Sequence, residues 1–305
     1  MKKQFFLLLS FLSITIAVSA QKEYKLARTT GQLNLNISGA IIEGYSGNEI
    51  IFSLPTTKTE IVDERAKGLK VINGSGFSDN TGLGVDVSEN GAEINVNPVN
   101  KTLAGIMTIK VPQNIKVSFT NNSSLYQEEV ILKNLKNEVE VSTNYNNIKL
   151  ENNTGPMNIK TLYGSIDAIF SDEIKGPVSI VSVYGYVDVS LPTPTKANIE
   201  LQTSYGKLYV AEGLKIAIEK NTNEKPQADA NFVYLNTGTN NATSIAGTGI
   251  TTNQQVSGIT GNTKGVSIFN YESIRNSESI KGKINGGGAN LILKSNYKNV
   301  YLRAK

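Results

Sequence analysis

The sequence predicts an all-β protein, a single-chain parallel β-solenoid (β-helix) with coils of about 20 residues. Three observations predict it. Short apolar–polar alternations with β-branched residues and Gly/Asn punctuation run through the chain, as in Leu33-Asn34-Leu35-Asn36-Ile37, Met107-Thr108-Ile109-Lys110-Val111 and Val139-Glu140-Val141, while helical periodicity is hard to find. A tyrosine returns at a near-fixed interval: Tyr145, Tyr163, Tyr184 and Tyr205 are separated by 18, 21 and 21 residues, and Tyr297 stands in a last copy. The segments around these tyrosines share one phase and repeat the same residue types in columns, which argues against a meander or sandwich.

The first element is a targeting segment. Lys2 and Lys3, the apolar run from Phe5 to Val18 and the small residues Val18-Ser19-Ala20 have the form of a bacterial secretory signal peptide over residues 1–20. Cleavage is expected near Ala20-Gln21, giving an exported chain that is periplasmic, at the cell surface or secreted. No later segment approaches the roughly 20 apolar residues of a membrane span, so no transmembrane segment is expected after cleavage. Residues 21–305 are expected to form one β-solenoid domain. Within it, 21–122 are irregular N-terminal coils, 123–218 the regular Tyr-Gly repeats, 219–282 an excursion and 283–305 a terminal coil. The Asn/Thr/Gly-rich part of the excursion, 219–262, breaks the period and carries one expected hairpin around Phe232-Val233-Tyr234-Leu235.

Composition narrows the function. Without Lys2 and Lys3 the chain has 28 basic residues (30 − 2) against 26 acidic ones, too balanced to argue for nucleic acid. Cysteine is absent, so no disulfide staples the fold. Histidine is absent as well, which removes the usual general base and the usual zinc ligand. No cofactor and no metal site is expected.

Register gives the repeat its mechanism. Six and four residues before each tyrosine stand Val139/Val141, Met157/Ile159, Val178/Ile180, Ile199/Leu201 and Leu291/Leu293. Three and five after it stand Ile148/Leu150, Ile166/Ala168, Val187/Val189, Leu208/Val210 and Val300/Leu302. Inward positions are thus even before the tyrosine and odd after it. A continuous strand of period 2 cannot change parity, but a corner can. Gly164, Gly185 and Gly206 suit such a corner through their tolerance of positive φ, with Asn146 and the less expected Lys298 in the same place. Two residues before each tyrosine stands a hydroxyl (Thr143, Thr161, Ser182, Thr203, Ser295), expected to form an internal hydrogen-bonded ladder. Gly286-Gly287-Gly288 lacks the lysine and helix of a phosphate loop and is expected to be a turn re-entering the stack.

With the repeats placed, IIEGYSGNEIIF (41–52), DNTGLGVDV (79–87), MTIKVPQNIKVSF (107–119), the Tyr-Gly segments and KINGGGANLILKSNYKNVYLR (283–303) resemble the bacterial "putative adhesin" family of β-strand-repeat proteins. The resemblance implies an exported, right-handed β-solenoid-like protein. It brings no catalytic residue pattern.

Two columns are candidate sites. Four residues after each tyrosine, facing outward, stand Lys149, Asp167, Asp188, Tyr209 and Tyr301. Stacked in register, Asp167 and Asp188 come about 5 Å apart, with Lys149 and Tyr209 expected to flank them. Paired carboxylates on the face of a β-helix acting on acidic polysaccharides serve acid–base work or hold calcium, and a solvated strand face is the simpler alternative. The tyrosines Tyr145, Tyr163, Tyr184, Tyr205 and Tyr297, with Tyr209, form either an aromatic platform for a glycan or a stacking ladder. Together these features point to a non-enzymatic structural or binding surface at the bacterial envelope, whose partner is a glycan or a surface protein. The alternatives are a polysaccharide-active enzyme using Asp167 and Asp188, and an envelope component that binds a protein in stress signalling.

Overall fold

The computed structural model describes residues 21–55, 64–100, 103, 105–171, 173–219, 231–235, 266–270 and 277–305. The expected signal peptide and most of the 219–262 excursion lie outside the described residues. The chain divides into two compact units, Met1–Lys220 with Glu278–Lys305, and Asn221–Ser277.

Among the described residues the regular secondary structure is strand, apart from one short 3-10 turn at Glu64–Ala66. The N-terminal strands are β1 (Gln21–Leu26), β2 (Gly31–Leu35), β3 (Ala40–Tyr45), β4 (Ile50–Pro55), β5 (Val85–Asn90), β6 (Glu93–Pro98), β7 (Met107–Pro112), β8 (Ile115–Asn121) and β9 (Val130–Lys133). The regular repeats supply β10 (Val139–Thr143), β11 (Ile148–Glu151), β12 (Met157–Thr161), β13 (Ile166–Ile169), β14 (Val178–Ser182), β15 (Val187–Leu191), β16 (Ala197–Thr203) and β17 (Leu208–Val210). After β18 (Ile216–Ile218) the smaller unit contributes β19 (Asn231–Leu235) and β20 (Val266–Asn270), paired antiparallel with each other. β19 falls where the excursion hairpin is expected. The chain closes with β21 (Glu278–Ile284), β22 (Ala289–Ser295) and β23 (Val300–Ala304).

In the larger unit each coil gives one strand to each of two sheets. Sheet A has ten strands in the order β1-β4-β7-β3-β9-β11-β13-β15-β23-β17. Sheet B has eleven, in the order β18-β21-β16-β22-β14-β12-β10-β8-β2-β6-β5. Pairing is parallel from coil to coil, with Val139 opposite Met157, Met157 opposite Val178 and Ile148 opposite Ile166. Antiparallel strands appear only at the ends of each sheet. The all-β, solenoid-like expectation therefore holds in its architecture, and strands β1–β9 pair into the same two sheets as the regular repeats.

The inward positions form one contiguous core running from Leu33 to Leu302. Val139, Val141 and Thr143 are buried, and after the corner the buried set continues as Asn146, Ile148 and Leu150. The parity change read from the sequence is thus built into the corner.

Two expectations need correction. The corner glycines are not in the left-handed region: the glycines with positive φ do not include Gly164, Gly185 or Gly206. What these positions require is the absence of a side chain. A Cβ on Gly164 would lie 1.8 Å from the Asn146 carbonyl oxygen, on Gly185 2.0 Å from that of Gly164, and on Gly206 2.1 Å from that of Lys298. Each corner rests on the carbonyl of its neighbour. Positive φ occurs instead at Asn285, Gly286 and Gly287, in the turn that re-enters the stack before β22.

The second correction concerns order. The last repeat does not follow the fourth; it lies between the third and the fourth. β22 pairs with β14 on one side and β16 on the other, and β23 with β15 and β17. The N-terminal end repeats the device. The coil of β2 and β3, earliest in the chain, lies between the coil of β6 and β7 and that of β8 and β9.

The tyrosine corner as a candidate functional site

The tyrosines leave the corner between sheets B and A just after an inward hydroxyl, so identical corners place them one above another. Their order along the stack is Tyr145, Tyr163, Tyr184, Tyr297, Tyr205. Ring centroids are 4.6, 4.8, 4.6 and 5.0 Å apart, with planes within 11° of parallel. This ladder is the stacking alternative of the two weighed above. Each inner ring has both faces covered by its neighbours. Stacking of this kind contributes about 0.5–1.5 kcal/mol per pair beyond area burial.

The hydroxyl column beneath it is a continuous ladder. Thr161 Oγ1 donates to the Asn146 carbonyl, Ser182 Oγ to that of Gly164, Ser295 Oγ to that of Gly185 and Thr203 Oγ1 to that of Lys298, at 2.7–3.2 Å. Each hydroxyl also accepts the amide three residues on: Gly164, Gly185, Lys298 and Gly206. Each of these four corners is thereby tied to its neighbour through a buried hydroxyl that both donates and accepts. The pattern stops at Thr143, whose Oγ1 has no hydrogen-bond partner. There carboxamides take over: Asn121 Nδ2 donates to Asn146 Oδ1 at 3.0 Å, and Asn146 Nδ2 to the carbonyls of Ser38 and Glu128, both at 2.6 Å.

On the outer face of sheet A, the expected column forms with a changed order. Lys149 stands opposite Asp167, Asp167 opposite Asp188, Asp188 opposite Tyr301 and Tyr301 opposite Tyr209. Tyr301, not Tyr209, flanks Asp188, because the last repeat is inserted. The insertion also brings Arg303, whose Nε and Nη2 reach the two Asp188 oxygens at 2.7 Å each. That fork-on-fork geometry raises the Arg303 guanidinium above its usual value, first through these hydrogen bonds and then through the Asp188 charge. Arg303 also lies 5.3 Å from the Tyr301 ring centroid.

Asp167 has a different environment. Tyr186 Oη donates to its Oδ2 at 3.1 Å. Burial pushes the Asp167 carboxyl above the usual aspartate value; the Tyr186 hydrogen bond opposes this, and Asp188 adds to it. Burial and the Asp167 charge raise the Tyr186 hydroxyl in turn. Lys149 pairs with Glu129 at 2.8 Å rather than with Asp167. Tyr209 stacks on Tyr301 at 5.1 Å, and Tyr186 meets Tyr301 edge-on at 6.5 Å.

The structure thus sets the residues singled out from the sequence in these two columns, moves Tyr301 beside Asp188 and adds two more, Tyr186 and Arg303. Tyr186 is legible as a second tyrosine directly after Gly185, outside the repeated column. Arg303 depends on the coil order and leaves no local trace. Among the described residues, no group of three or more acidic side chains is placed to hold a metal ion, and no helix is long and apolar enough to cross a membrane.

No curated protein matches the chain. A crystal structure described as a "putative cell adhesion protein" from Clostridium sporogenes is similar over 94% of this chain and 100% of that one, at 11% identity and a TM-score of 0.38. Residues 117–231 match the family model Toastrack DUF4097, a span that starts in β8 and contains the regular coils but not the inserted β22 and β23. That match is in keeping with the adhesin-like β-strand-repeat family the chain resembles.

Proposed function

We propose that the chain is an exported, non-enzymatic β-solenoid of right-handed coils that presents a structural or binding surface at the bacterial envelope, taking a glycan or another surface protein. One observation carries this reading. Of 13 tyrosines, the five of the ladder (Tyr145, Tyr163, Tyr184, Tyr297, Tyr205) and the three beside it (Tyr186, Tyr209, Tyr301) share one edge of the stack. Tyrosines on a rigid scaffold offer large amphipathic contact area at low entropic cost, the composition favoured at recognition surfaces. Solenoids bind through such extended faces. Since the ladder rings cover one another, the faces open to a sugar ring are those at the ladder's ends, of which Tyr205 is the most exposed.

Binding of the purified protein to a glycan array and to isolated envelope proteins, beside Tyr186→Ala and Tyr209→Ala variants, tests this. A specific ligand whose affinity falls about tenfold in the variants is expected. A protein that binds nothing, or variants that bind as well as the parent, would refute it. Recovery of an exported chain beginning at Gln21 would support the signal peptide.

A second reading rests on Asp167. A carboxyl raised above its usual value beside a fixed, charged carboxylate is the arrangement of a general acid and its partner in glycoside cleavage. Against it, Arg303 occupies both oxygens of Asp188. Depolymerisation of a uronic-acid polymer that disappears in an Asp167→Asn/Asp188→Asn double variant would favour the enzyme.

A further inference from the structure

At the C-terminal end the two sheets stop at different levels. Sheet B continues past the last coil with β21 and β18, whereas sheet A stops at β17. Among the described residues, the inner faces of β21 and β18 therefore have no sheet A strand opposite them. Inward residues of the middle coils are fully buried, but here Ile218 is 62% exposed and Leu208, Val210, Ile216 and Ile280 are only half-buried.

Among the described residues, both lips of this step are open strand edges. β17 meets β23 through the Lys207 carbonyl, which accepts from Val300 N–H, and the Ala211 N–H, which donates to Leu302. Alternate residues of a strand turn their peptide groups to opposite edges, so Leu208 and Val210 turn theirs to the open side. On β18, the Glu219 N–H donates to Lys281 and the Lys215 carbonyl accepts from Asn285 N–H. Ile216 and Ile218 therefore present their peptide groups outward.

We propose that this end is a homodimer joint. A second copy, related by a two-fold axis, lays its β18 antiparallel along β17 and receives β18 on its own β17. The two-strand overhang of each sheet B fills the two-strand gap of the other copy's sheet A, an isologous fit in which one surface is its own complement. One register satisfies three conditions at once. With Leu208 opposite Ile218 of the second copy and Val210 opposite its Ile216, the outward peptide groups face each other and the four apolar side chains all point into the core. The same register sets Lys207 opposite Glu219 of the second copy, a residue now 3.7 Å from Lys283 within its own chain. Tyr209, on the outer face, then meets Ala217, which leaves room for the ring.

Sedimentation equilibrium of the purified protein across a wide concentration range tests the joint. A monomer–dimer equilibrium is expected. Val210→Pro removes an N–H that points away from β23, a place where an edge strand tolerates proline, and should leave a folded monomer by circular dichroism. Lys207→Glu alone should weaken the dimer about three- to tenfold, and Lys207→Glu combined with Glu219→Lys should restore it. Restoration cannot follow from a folding defect. A protein monomeric at every concentration overturns the proposal. So does a dimer indifferent to Val210→Pro and to the charge reversals, because such a dimer uses another face.

Discussion

The two ends of the stack share one device and differ in another. At each end a coil from a chain terminus is wedged between two coils of the interior: β2 and β3 at the N-terminal end, β22 and β23 at the C-terminal end. Termini of a solenoid fray when their last coil has a single neighbour, so clamping the terminal segment on both sides protects it. The closures differ. Beyond the last N-terminal coil, β4 and β1 extend sheet A and β5 extends sheet B, so both lips of the core are covered. At the C-terminal end, among the described residues, only sheet B is extended. An uncovered lip in an otherwise capped solenoid is where a partner strand fits, because an edge left open in water is otherwise an aggregation liability.

Truncation probes this difference most severely. Deleting residues 278–305 removes the partners of β14, β15, β16 and β17 together, along with the buried Leu291, Leu293, Val300 and Leu302. Burial of that kind is worth about 1.5–3 kcal/mol per side chain, so a loss of about 6–12 kcal/mol is expected. Hydrogen exchange should show β16 and β17 unprotected. Deleting residues 21–26 removes only β1, leaving β4 over the N-terminal lip, and should cost far less. Equal losses would show that the inserted coil is not the keystone of its end.

The corner contacts give the next effect. Gly185→Ala sets a methyl group against the Gly164 carbonyl, and urea denaturation should show about 2–3 kcal/mol of destabilisation. Gly286→Ala meets open space, and its cost should be only the roughly 1 kcal/mol of a positive φ.

A smaller contrast lies in the hydroxyl column. Ser295→Ala breaks the link between the inserted coil and Gly185 and leaves that carbonyl buried, at about 1–2 kcal/mol. Thr143→Val, at the level where carboxamides replace hydroxyls, removes a buried hydroxyl that has no partner and should be neutral or stabilising in the same assay.

The smallest effect is one of pH. At the C-terminal end Glu200 ties three strands through Lys294 at 2.6 Å and Lys281 at 3.6 Å. Burial opposes its ionisation, but the two lysines outweigh burial and hold its carboxyl below the usual glutamate value. A depressed carboxyl stabilises above its unfolded value, and that contribution is lost as pH falls through the folded one. Glu200→Gln should therefore cost about 0.5–1 kcal/mol at neutral pH and nothing in acid. The N-terminal end uses the Asn34–Asn95 hydrogen bond at 3.0 Å across β2 and β6, which does not titrate, so Asn34→Ala should have the same cost at both pH values.

Much of this was legible in the sequence, for a physical reason. Inward positions, the parity change at the tyrosine and the Asp167–Asp188 register follow from strand period and repeat spacing, both local properties. Coil order is not local. The repeats around Tyr184, Tyr205 and Tyr297 carry the same inward pattern, so any of them can pair with any other. Only the separation of 92 positions from Tyr205 to Tyr297 hints that the last repeat returns from elsewhere. Because Arg303 reaches Asp188 through that order, the ion pair was hidden with it. The role of the corner glycines was hidden differently. Glycine permits both positive φ and close approach, and only the neighbouring corner's carbonyl shows which of the two is used.

The chain has no cysteine, which makes the coil order directly measurable. Asp188 and Tyr301 face each other on adjacent parallel strands, as do Tyr301 and Tyr209. Adjacent strands bring Cα atoms to about 4.8 Å, within disulfide reach, whereas strands two apart stand at roughly 9.6 Å, beyond it. Under oxidation, an Asp188→Cys/Tyr301→Cys variant should cross-link within the chain, and an Asp188→Cys/Tyr209→Cys variant should not. The reverse outcome would place the fourth repeat directly on the third and contradict the inserted coil.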